Sequence, residues 1–190
     1  MNKIKGTGIA LVTPFNEDFS IDFTSLEKLI NYTIIGGVDF LVMLGTTGES
    51  ATLTKQEKKE VVAFCKKINA GRLPIVQGVG GNNTFALVKE LKNTNFDGID
   101  AILSVSPYYN KPTQAGLYAH FENVAASADI PIIIYNIPGR SVVDMSVDTM
   151  ARLAELPNIA GVKDATSDLA RPMLTKLAIG PDFCQLSGED

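Results

Sequence analysis

The chain has 190 residues, of which 45% are hydrophobic and 20% are charged, and its net charge is −4. This composition is typical of a globular protein with one sizeable core, and it leaves no basic field for a polyanion, so no nucleic-acid partner is predicted. Cys65 and Cys184 follow no disulfide or zinc spacing, and His120 is the only histidine, so the sequence gives little support to a disulfide framework or a metal site. Residues 1–15 lack the apolar stretch of a signal peptide, and no segment approaches the roughly 18 apolar residues of a membrane span. A cytoplasmic protein without a membrane partner is therefore predicted.

Seven short apolar runs recur along the chain, and each has the length and composition of a buried strand. The runs hold four or five residues rich in aliphatic and β-branched side chains, and most are followed by glycine, proline or polar residues. In chain order the predicted strands are 8–12, 40–44, 74–78, 101–105, 132–135, 159–163 and 183–187.

Segments with apolar residues at helical spacing lie between most of these strands, and residues 26–34 are one example. Thr54 and Glu57 have the spacing of a capping box, in which each residue satisfies a backbone N–H of the other. Gly36, Gly37 and Gly71 are predicted helix stops. Strand and helix thus alternate about every thirty residues, which predicts a parallel sheet built from βαβ units.

Two architectures use this alternation, the open doubly wound sheet and the closed (β/α)8 barrel. The glycine-rich segment 78–83 has its third glycine at the wrong position for a dinucleotide fingerprint, and no P-loop is present. Polar or aromatic residues follow nearly every strand, as expected where carboxyl-end loops build the site of a barrel. The sequence therefore favours a single (β/α) barrel domain over residues 1–190. That domain is incomplete, because the chain stops after strand seven, without an eighth strand and a helical extension.

Lys163 is the most informative residue, because it stands alone where the sixth predicted strand ends. Burial of an ammonium group in an apolar strand is unfavourable and promotes the neutral amine, which is a nucleophile toward carbonyl groups. The alternative is that Lys163 emerges at the strand end and pairs with Asp164 or another surface carboxylate.

Tyr135 ends the fifth predicted strand, and neighbouring parallel strands are only about 4.8 Å apart. A phenol there could pass protons to and from adducts of the Lys163 amine, although a packed aromatic with a wet hydroxyl is the alternative. Arg140, between Gly139 and Ser141 in a loop, could grip a carboxylate in bidentate fashion or could be an ordinary surface arginine.

Two further loops carry candidate groups. Thr46 and Thr47 follow the second strand between glycines, so their hydroxyls and nearby N–H groups suit a small carboxylate, or they cap a tight turn. Tyr108 and Tyr109 form an aromatic pair after the fourth strand, which indicates a lid or a subunit contact.

Four motifs together give a specific resemblance. Residues 45–49 (GTTGE), 106–109 (SPYY), 135–140 (YNIPGR) and 161–166 (GVKDAT) are similar to the dihydrodipicolinate synthase family of pyruvate-dependent class I aldolases, in order along the chain. The resemblance implies a barrel enzyme, a lyase of the hydro-lyase class that acts in lysine biosynthesis through diaminopimelate. It also implies that no cofactor is required, because pyruvate is held as a covalent imine.

The resemblance implies a role for each candidate residue. Lys163 forms the Schiff base with pyruvate, and Tyr135 relays protons with help from Thr47 and from Tyr109 of a neighbouring subunit. Thr46 and Thr47 hold the pyruvate carboxylate. Arg140 holds the carboxylate of aspartate 4-semialdehyde, and Gly188 belongs to the substrate-binding set. A homo-oligomer, a dimer of dimers in the family, is expected.

Related pyruvate aldolases, such as N-acetylneuraminate lyase, keep the lysine and tyrosine and differ at the position of Arg140, whose presence favours aspartate semialdehyde. A non-catalytic small-molecule-binding relative is a further alternative. The family's lysine-inhibition site corresponds to Ser50, Ala51, Asn82 and Tyr108. Near it, Lys55 and Lys58 replace histidines and Ala86 replaces a glutamate of inhibited relatives, so weak inhibition by lysine is expected. The first and seventh strands are expected to be unpaired edges of the incomplete sheet.

Overall fold

A computed structural model of the protein describes residues 4–188. These residues divide into two compact units, which are described in turn. The amino-terminal unit comprises residues 4–78 and 96–101, and the carboxy-terminal unit comprises residues 79–95 and 102–188. Within the described part of the chain, each helix is too short or too polar to cross a bilayer.

The amino-terminal unit alternates strand and helix, as predicted. Its strands pair in parallel, β1 with β2 and β2 with β3, and α1 packs against α2. Its elements are β1 (Gly8–Ala10), α1 (Phe23–Ile35), β2 (Phe40–Met43), α2 (Lys55–Asn69) and β3 (Ile75–Gly78).

Local sequence signals account for the ends of the helices in this unit. The predicted capping box of α2 is present, with the Thr54 hydroxyl accepting from the Glu57 N–H and the Glu57 carboxylate accepting from the Thr54 N–H. Helix α1 begins at an Asp22 cap and ends before Gly36, as predicted. Helix α2 ends at Asn69, and its cap is Ala70 instead of the predicted stop Gly71, because Ala70 already adopts the left-handed conformation, with φ of 48°.

The carboxy-terminal unit carries the other four strands, which pair in parallel in the order β4, β5, β6, β7. Helix α4 packs against α3 and α6, and α6 packs against α7. The elements of this unit are α3 (Thr84–Lys92), β4 (Ala101–Val105), α4 (Gln114–Ala125), β5 (Ile132–Asn136), α5 (Pro138–Ser141), α6 (Val147–Ala154), β6 (Ile159–Asp164), α7 (Arg171–Ile179) and β7 (Cys184–Ser187).

All seven predicted strands are present, and the differences lie at their ends. Strand β2 stops at Met43 because Leu44 turns into the left-handed region, with φ of 56°. Strands β5 and β6 each continue one residue further than predicted, to Asn136 and Asp164, because these two residues pair with each other. The register of β5 and β6 shifts after Ile132, which indicates a bulge in this pair.

His120 is a buried titratable side chain of the carboxy-terminal unit that the predicted site does not use. His120 is 3% exposed and lies edge-on to Phe121, and its Nδ1 is 2.8 Å from the Thr84 hydroxyl. Burial lowers the pKa of His120 from 6.5 to about 4. The imidazole is therefore neutral in the folded protein at neutral pH.

Titration of His120 makes a testable contribution to stability. The folded pKa of about 4 lies below the unfolded value of 6.5, so the unfolded state takes up the proton first as the pH falls. Titration of His120 therefore does not affect the free energy of unfolding above pH 6.5. As the pH falls from 6.5 to 4, protonation of the unfolded state lowers the free energy of unfolding progressively, by about 3 kcal/mol in total. We expect urea unfolding of the full-length protein to show a steeper loss of stability over this range than unfolding of the His120→Gln variant. If the free energy of unfolding fell equally with pH in the two proteins, the lowered pKa of His120 would be contradicted.

Candidate active site

Tyr135 and Lys163 form a contact pair at the carboxyl ends of β5 and β6. The two residues are direct register partners in the parallel ladder, and the Lys163 Nζ atom lies 4.8 Å from the centre of the Tyr135 ring. Tyr135 is buried, at 7% exposure, whereas Lys163 is half-buried. The sequence placed both residues at neighbouring strand ends, and the structure brings their side chains together.

Gly188 lies beside the same lysine, immediately after β7. Its N–H donates to the Asp164 carbonyl at 2.8 Å, which continues the β6–β7 pairing past the last strand residue. A Cβ atom at position 188 would lie 3.1 Å from Cε of Lys163 and 2.8 Å from Cβ of Ala165. Glycine therefore keeps the space along the lysine side chain open, and this is the third predicted site residue in the group.

Thr46 and Thr47 belong to the amino-terminal unit, on the loop after β2, and both are exposed. Their loop is tightly folded, because Gly48 donates to the Gly45 carbonyl at 3.1 Å and its own carbonyl accepts from the Thr13 hydroxyl at 2.7 Å. The turn fixes the backbone and leaves both threonine side chains at the surface of this unit.

The loop after β4 presents Tyr109 to solvent. Its side chain is 87% exposed, and its backbone has φ of 69°. The loop is held in shape by Asn82, whose Nδ2 donates to the Tyr108 carbonyl at 3.1 Å and whose carbonyl accepts from Asn110 Nδ2 at 3.1 Å. Tyr109 thus projects away from its own unit and is not packed on the Tyr135–Lys163 pair.

Arg140 lies on the short helix α5, directly after β5, and its side chain is exposed. The helix is closed by the Ser141 hydroxyl, which donates to the Ile137 carbonyl at 2.9 Å. A turn at Val142, with φ of 64°, follows. Arg140 is therefore carried on a compact turn that starts two residues after Tyr135.

Sequence reasoning missed a polar cluster on the other face of β5 and β6, which we call the Arg171 cluster. It consists of Asn136, Asp144, Asp164 and Arg171 together with the backbone of Met145. The Asp164 carboxylate contacts the side chains of Asn136 and Arg171. A signal was available, since Asn136 and Asp164 directly follow the two reactive residues, but nothing in the sequence pointed to Asp144 or Arg171.

The Tyr135–Lys163 pair has the functional groups of imine chemistry. A primary amine can add to a carbonyl carbon, and a phenol within reach can donate and accept the protons of that addition. Within residues 4–188, no three His, Cys, Asp or Glu side chains are grouped as metal ligands would be.

Comparisons with known proteins agree on one family. The model of the dihydrodipicolinate synthetase family matches residues 3–190. The 4-hydroxy-tetrahydrodipicolinate synthase of Rhodospirillum centenum is 52% identical over 186 residues, which are 98% of this chain and 64% of that protein. The chain thus spans slightly less than two thirds of the length of this relative.

Solved structures support the same assignment. The crystal structure of dihydrodipicolinate synthase from Aquifex aeolicus is 45% identical, with a TM-score of 0.92 over 97% of this chain and 63% of that one. The chloride-inhibited dihydrodipicolinate synthase from Acinetobacter baumannii, complexed with pyruvate, is 43% identical, with a TM-score of 0.93 over 97% of this chain and 64% of that one.

These solved relatives are (β/α)8 barrels, so the fold class predicted from the sequence is confirmed. The predicted resemblance is confirmed as well. By family model, sequence identity and structure, the chain belongs to the dihydrodipicolinate synthetase family.

Proposed function

We propose that the protein containing this chain is a 4-hydroxy-tetrahydrodipicolinate synthase, which condenses pyruvate with L-aspartate 4-semialdehyde. The reaction assigns it to the hydro-lyases and to the diaminopimelate route to lysine. The observation that carries the proposal is the contact between Lys163 and Tyr135 at neighbouring strand ends, in a chain about half identical to relatives of that name.

The chemistry begins at the Lys163 amine. Its nitrogen adds to the ketone carbon of pyruvate, and loss of one water gives a protonated imine, which withdraws electrons from the neighbouring methyl group. The methyl group then loses a proton to give an enamine, whose terminal carbon attacks the aldehyde carbon. Finally, the amine of the former semialdehyde attacks the imine carbon, closes the ring and releases Lys163. No separate cofactor is required, because the covalent imine serves as the electron sink.

Protons move through hydroxyl groups in this proposal. The centre of the Tyr135 ring lies 4.8 Å from the Lys163 nitrogen, and burial of the ring holds the hydroxyl in a fixed place. Thr47 assists it, together with Tyr109 from a neighbouring copy of the chain. The exposure of Tyr109 supports a role outside its own subunit, because an aromatic side chain that is 87% exposed leaves a large apolar surface for a partner to cover.

Three groups bind the substrates. Thr46 and Thr47 hold the pyruvate carboxylate through hydroxyl and backbone N–H donors. Gly188 leaves room for the bound keto acid beside the lysine methylenes. Arg140 binds the carboxylate of the semialdehyde, for which its planar guanidinium offers two parallel donors.

The family also supports the cellular and assembly assignments. We place the protein in the cytoplasm, as a single barrel domain in its full-length form, assembled as a dimer of dimers. Neither nucleic acid nor membrane is a partner in this proposal.

A coupled assay of the full-length protein tests the function. Pyruvate should be consumed with aspartate 4-semialdehyde as the acceptor and at a much lower rate with N-acetylmannosamine. Preference for N-acetylmannosamine would instead assign the protein to the sugar-acid aldolases, and no turnover with either acceptor would indicate a binding protein.

Replacement of Arg140 by alanine tests the specificity assignment. Loss of a charge-assisted pair with the aldehyde carboxylate should raise the KM for aspartate semialdehyde by about 10- to 100-fold, which corresponds to roughly 1.5–3 kcal/mol. The KM for pyruvate should change by less than about 3-fold, because the Lys163 amine and the hydroxyl and N–H donors of Thr46 and Thr47 remain. Arg140→Lys should recover part of the loss. An equal effect on both substrates would argue against the assigned role.

A further inference from the structure

The Arg171 cluster joins the strand that carries Lys163 to segment 142–146, which directly follows helix α5 and its Arg140. Consecutive strand residues point to opposite faces of a sheet, so Asn136 and Asp164 lie behind Tyr135 and Lys163. The cluster is thus directly behind the reactive pair without facing the substrate. Its parts come from four places along the chain, namely the ends of β5 and β6, the segment 142–146, and the first residue of α7.

The contacts converge on one guanidinium. Arg171 Nη2 pairs with Asp144, Nη1 donates to the Met145 carbonyl, and Nε lies 3.8 Å from Asp164 Oδ2. The Arg171 side chain is only 8% exposed. The Arg171 side chain therefore contacts two consecutive residues of segment 142–146 and one residue of strand β6.

Asn136 completes the connection from the opposite side. Its Nδ2 donates to Asp144 Oδ1 at 2.8 Å and to Asp164 Oδ1 at 3.2 Å, and its Oδ1 accepts from the Met145 N–H at 3.1 Å. The Asn136 amide thus contacts Asp144, Asp164 and Met145, the same three residues that Arg171 contacts. The Met145 backbone is held at its N–H and its carbonyl, and the Met145 side chain is fully buried.

The electrostatics make this arrangement depend on Arg171. Asp144 and Asp164 share the Asn136 amide, so two carboxylates face one small dipole, and the guanidinium is the positive charge between them. The side chains of Arg171 and Asp164 are only 8% and 14% exposed, so removal of the guanidinium would leave the Asp164 carboxylate without a compensating charge, which is unfavourable. Without Arg171, segment 142–146 would be expected to move away from β6.

Such a movement would reach Arg140 through a short path. Helix α5 has only four residues, and Ser141 ties its end to Ile137 at 2.9 Å and to the Val143 carbonyl at 2.9 Å. Displacement of segment 142–146 is therefore passed to the turn that bears Arg140. Lys163, in contrast, is held on both sides by its strand partners Tyr135 and Leu186.

We propose that Arg171 is a positioning residue that fixes segment 142–146, and with it helix α5 and Arg140, relative to Lys163 and so sets the affinity for the second substrate. This inference rests on the proposed function and adds to it a residue that does not touch either substrate.

The test is a comparison of the full-length enzyme with its Arg171→Met variant. We expect the KM for aspartate semialdehyde to rise by about 10- to 100-fold, as for a misplacement of the order of 1 Å in a binding group. The rate at which borohydride traps pyruvate on Lys163 should stay within about 2-fold of the native rate, because the strand partners of Lys163 are untouched. Arg171→Lys should give an intermediate KM, since it keeps the charge but loses the fork geometry.

Two further variants keep the outcome clear. Arg152→Met is the matched control, because Arg152 is exposed on α6, where its guanidinium lies 4.1 Å from the centre of the Tyr118 ring, and both constants should remain native. If Arg171→Met does not fold, Asp144→Ala decides, since this side chain is 48% exposed and its loss removes contacts to both Arg171 and Asn136. It should raise the same KM by at least about 5-fold without slowing trapping.

Different results would overturn the proposed function and the positioning role of Arg171. Absence of a trapped adduct at Lys163 in the native enzyme would overturn the proposed function. The positioning role alone would be overturned if the native enzyme gave a normal adduct but the KM values for both substrates changed equally in the folded Arg171 or Asp144 variant. An unchanged KM for aspartate semialdehyde in either folded variant would have the same consequence.

Discussion

Replacement of Lys163 by methionine is expected to lower the turnover number of the full-length enzyme by roughly four orders of magnitude or more, as for the loss of other covalent nucleophiles. The reason is that every step after pyruvate binding proceeds on the nitrogen of this side chain. The methionine has a similar length and volume, and it can pack on the Tyr135 ring without a charge. We therefore expect the variant to fold while the covalent route is closed.

The measurement is the steady-state rate with both substrates at saturation, together with a thermal unfolding curve. Lys176→Met is the control, because it removes an exposed lysine from α7 in the same unit. Its rate should be native. If the Lys163 variant kept a tenth of the native turnover with an intact fold, the amine would not be the nucleophile.

Replacement of Tyr135 by phenylalanine should lower kcat by about 10²- to 10⁴-fold, the range expected for loss of a general acid–base group. The change removes one oxygen and leaves the ring beneath the lysine in place, so binding of pyruvate should be affected much less than proton transfer.

Tyr118→Phe provides the comparison for a tyrosine hydroxyl in the same unit. Its ring, on helix α4, lies under the Arg152 guanidinium, and Tyr118 is not among the predicted site residues, so its kcat should match that of the native enzyme. An unaltered kcat in the Tyr135 variant would show that another group relays the protons.

The alternation of strands and helices was predictable because each strand of a buried parallel sheet is a continuous apolar run. Tyr135 and Lys163 could be placed together for a related reason, since each ends one of two consecutive apolar runs. What the pattern could not supply is the register, because the shift after Ile132 changes which residue of β6 lies opposite each residue of β5. Only the structure shows that the two side chains meet on the same face.

The Arg171 cluster was beyond sequence reasoning for a physical reason. Asp144 and Arg171 are 27 residues apart, and their contact depends on how segment 142–146 and helix α7 fold back on the sheet. A charged residue at the start of a helix is usually solvated, so nothing in the local sequence indicates that this arginine is buried. The catalytic and binding roles assigned to the site residues all stay predictions; these residues are Lys163, Tyr135, Thr46, Thr47, Tyr109, Arg140 and Gly188.

The most direct measurement is borohydride reduction of the full-length protein in the presence of pyruvate, followed by proteolysis and mass spectrometry. We expect the added mass of a reduced pyruvyl group on the peptide that contains Lys163, and no added mass when pyruvate is omitted. An unmodified Lys163, or a label on a different lysine, would contradict it.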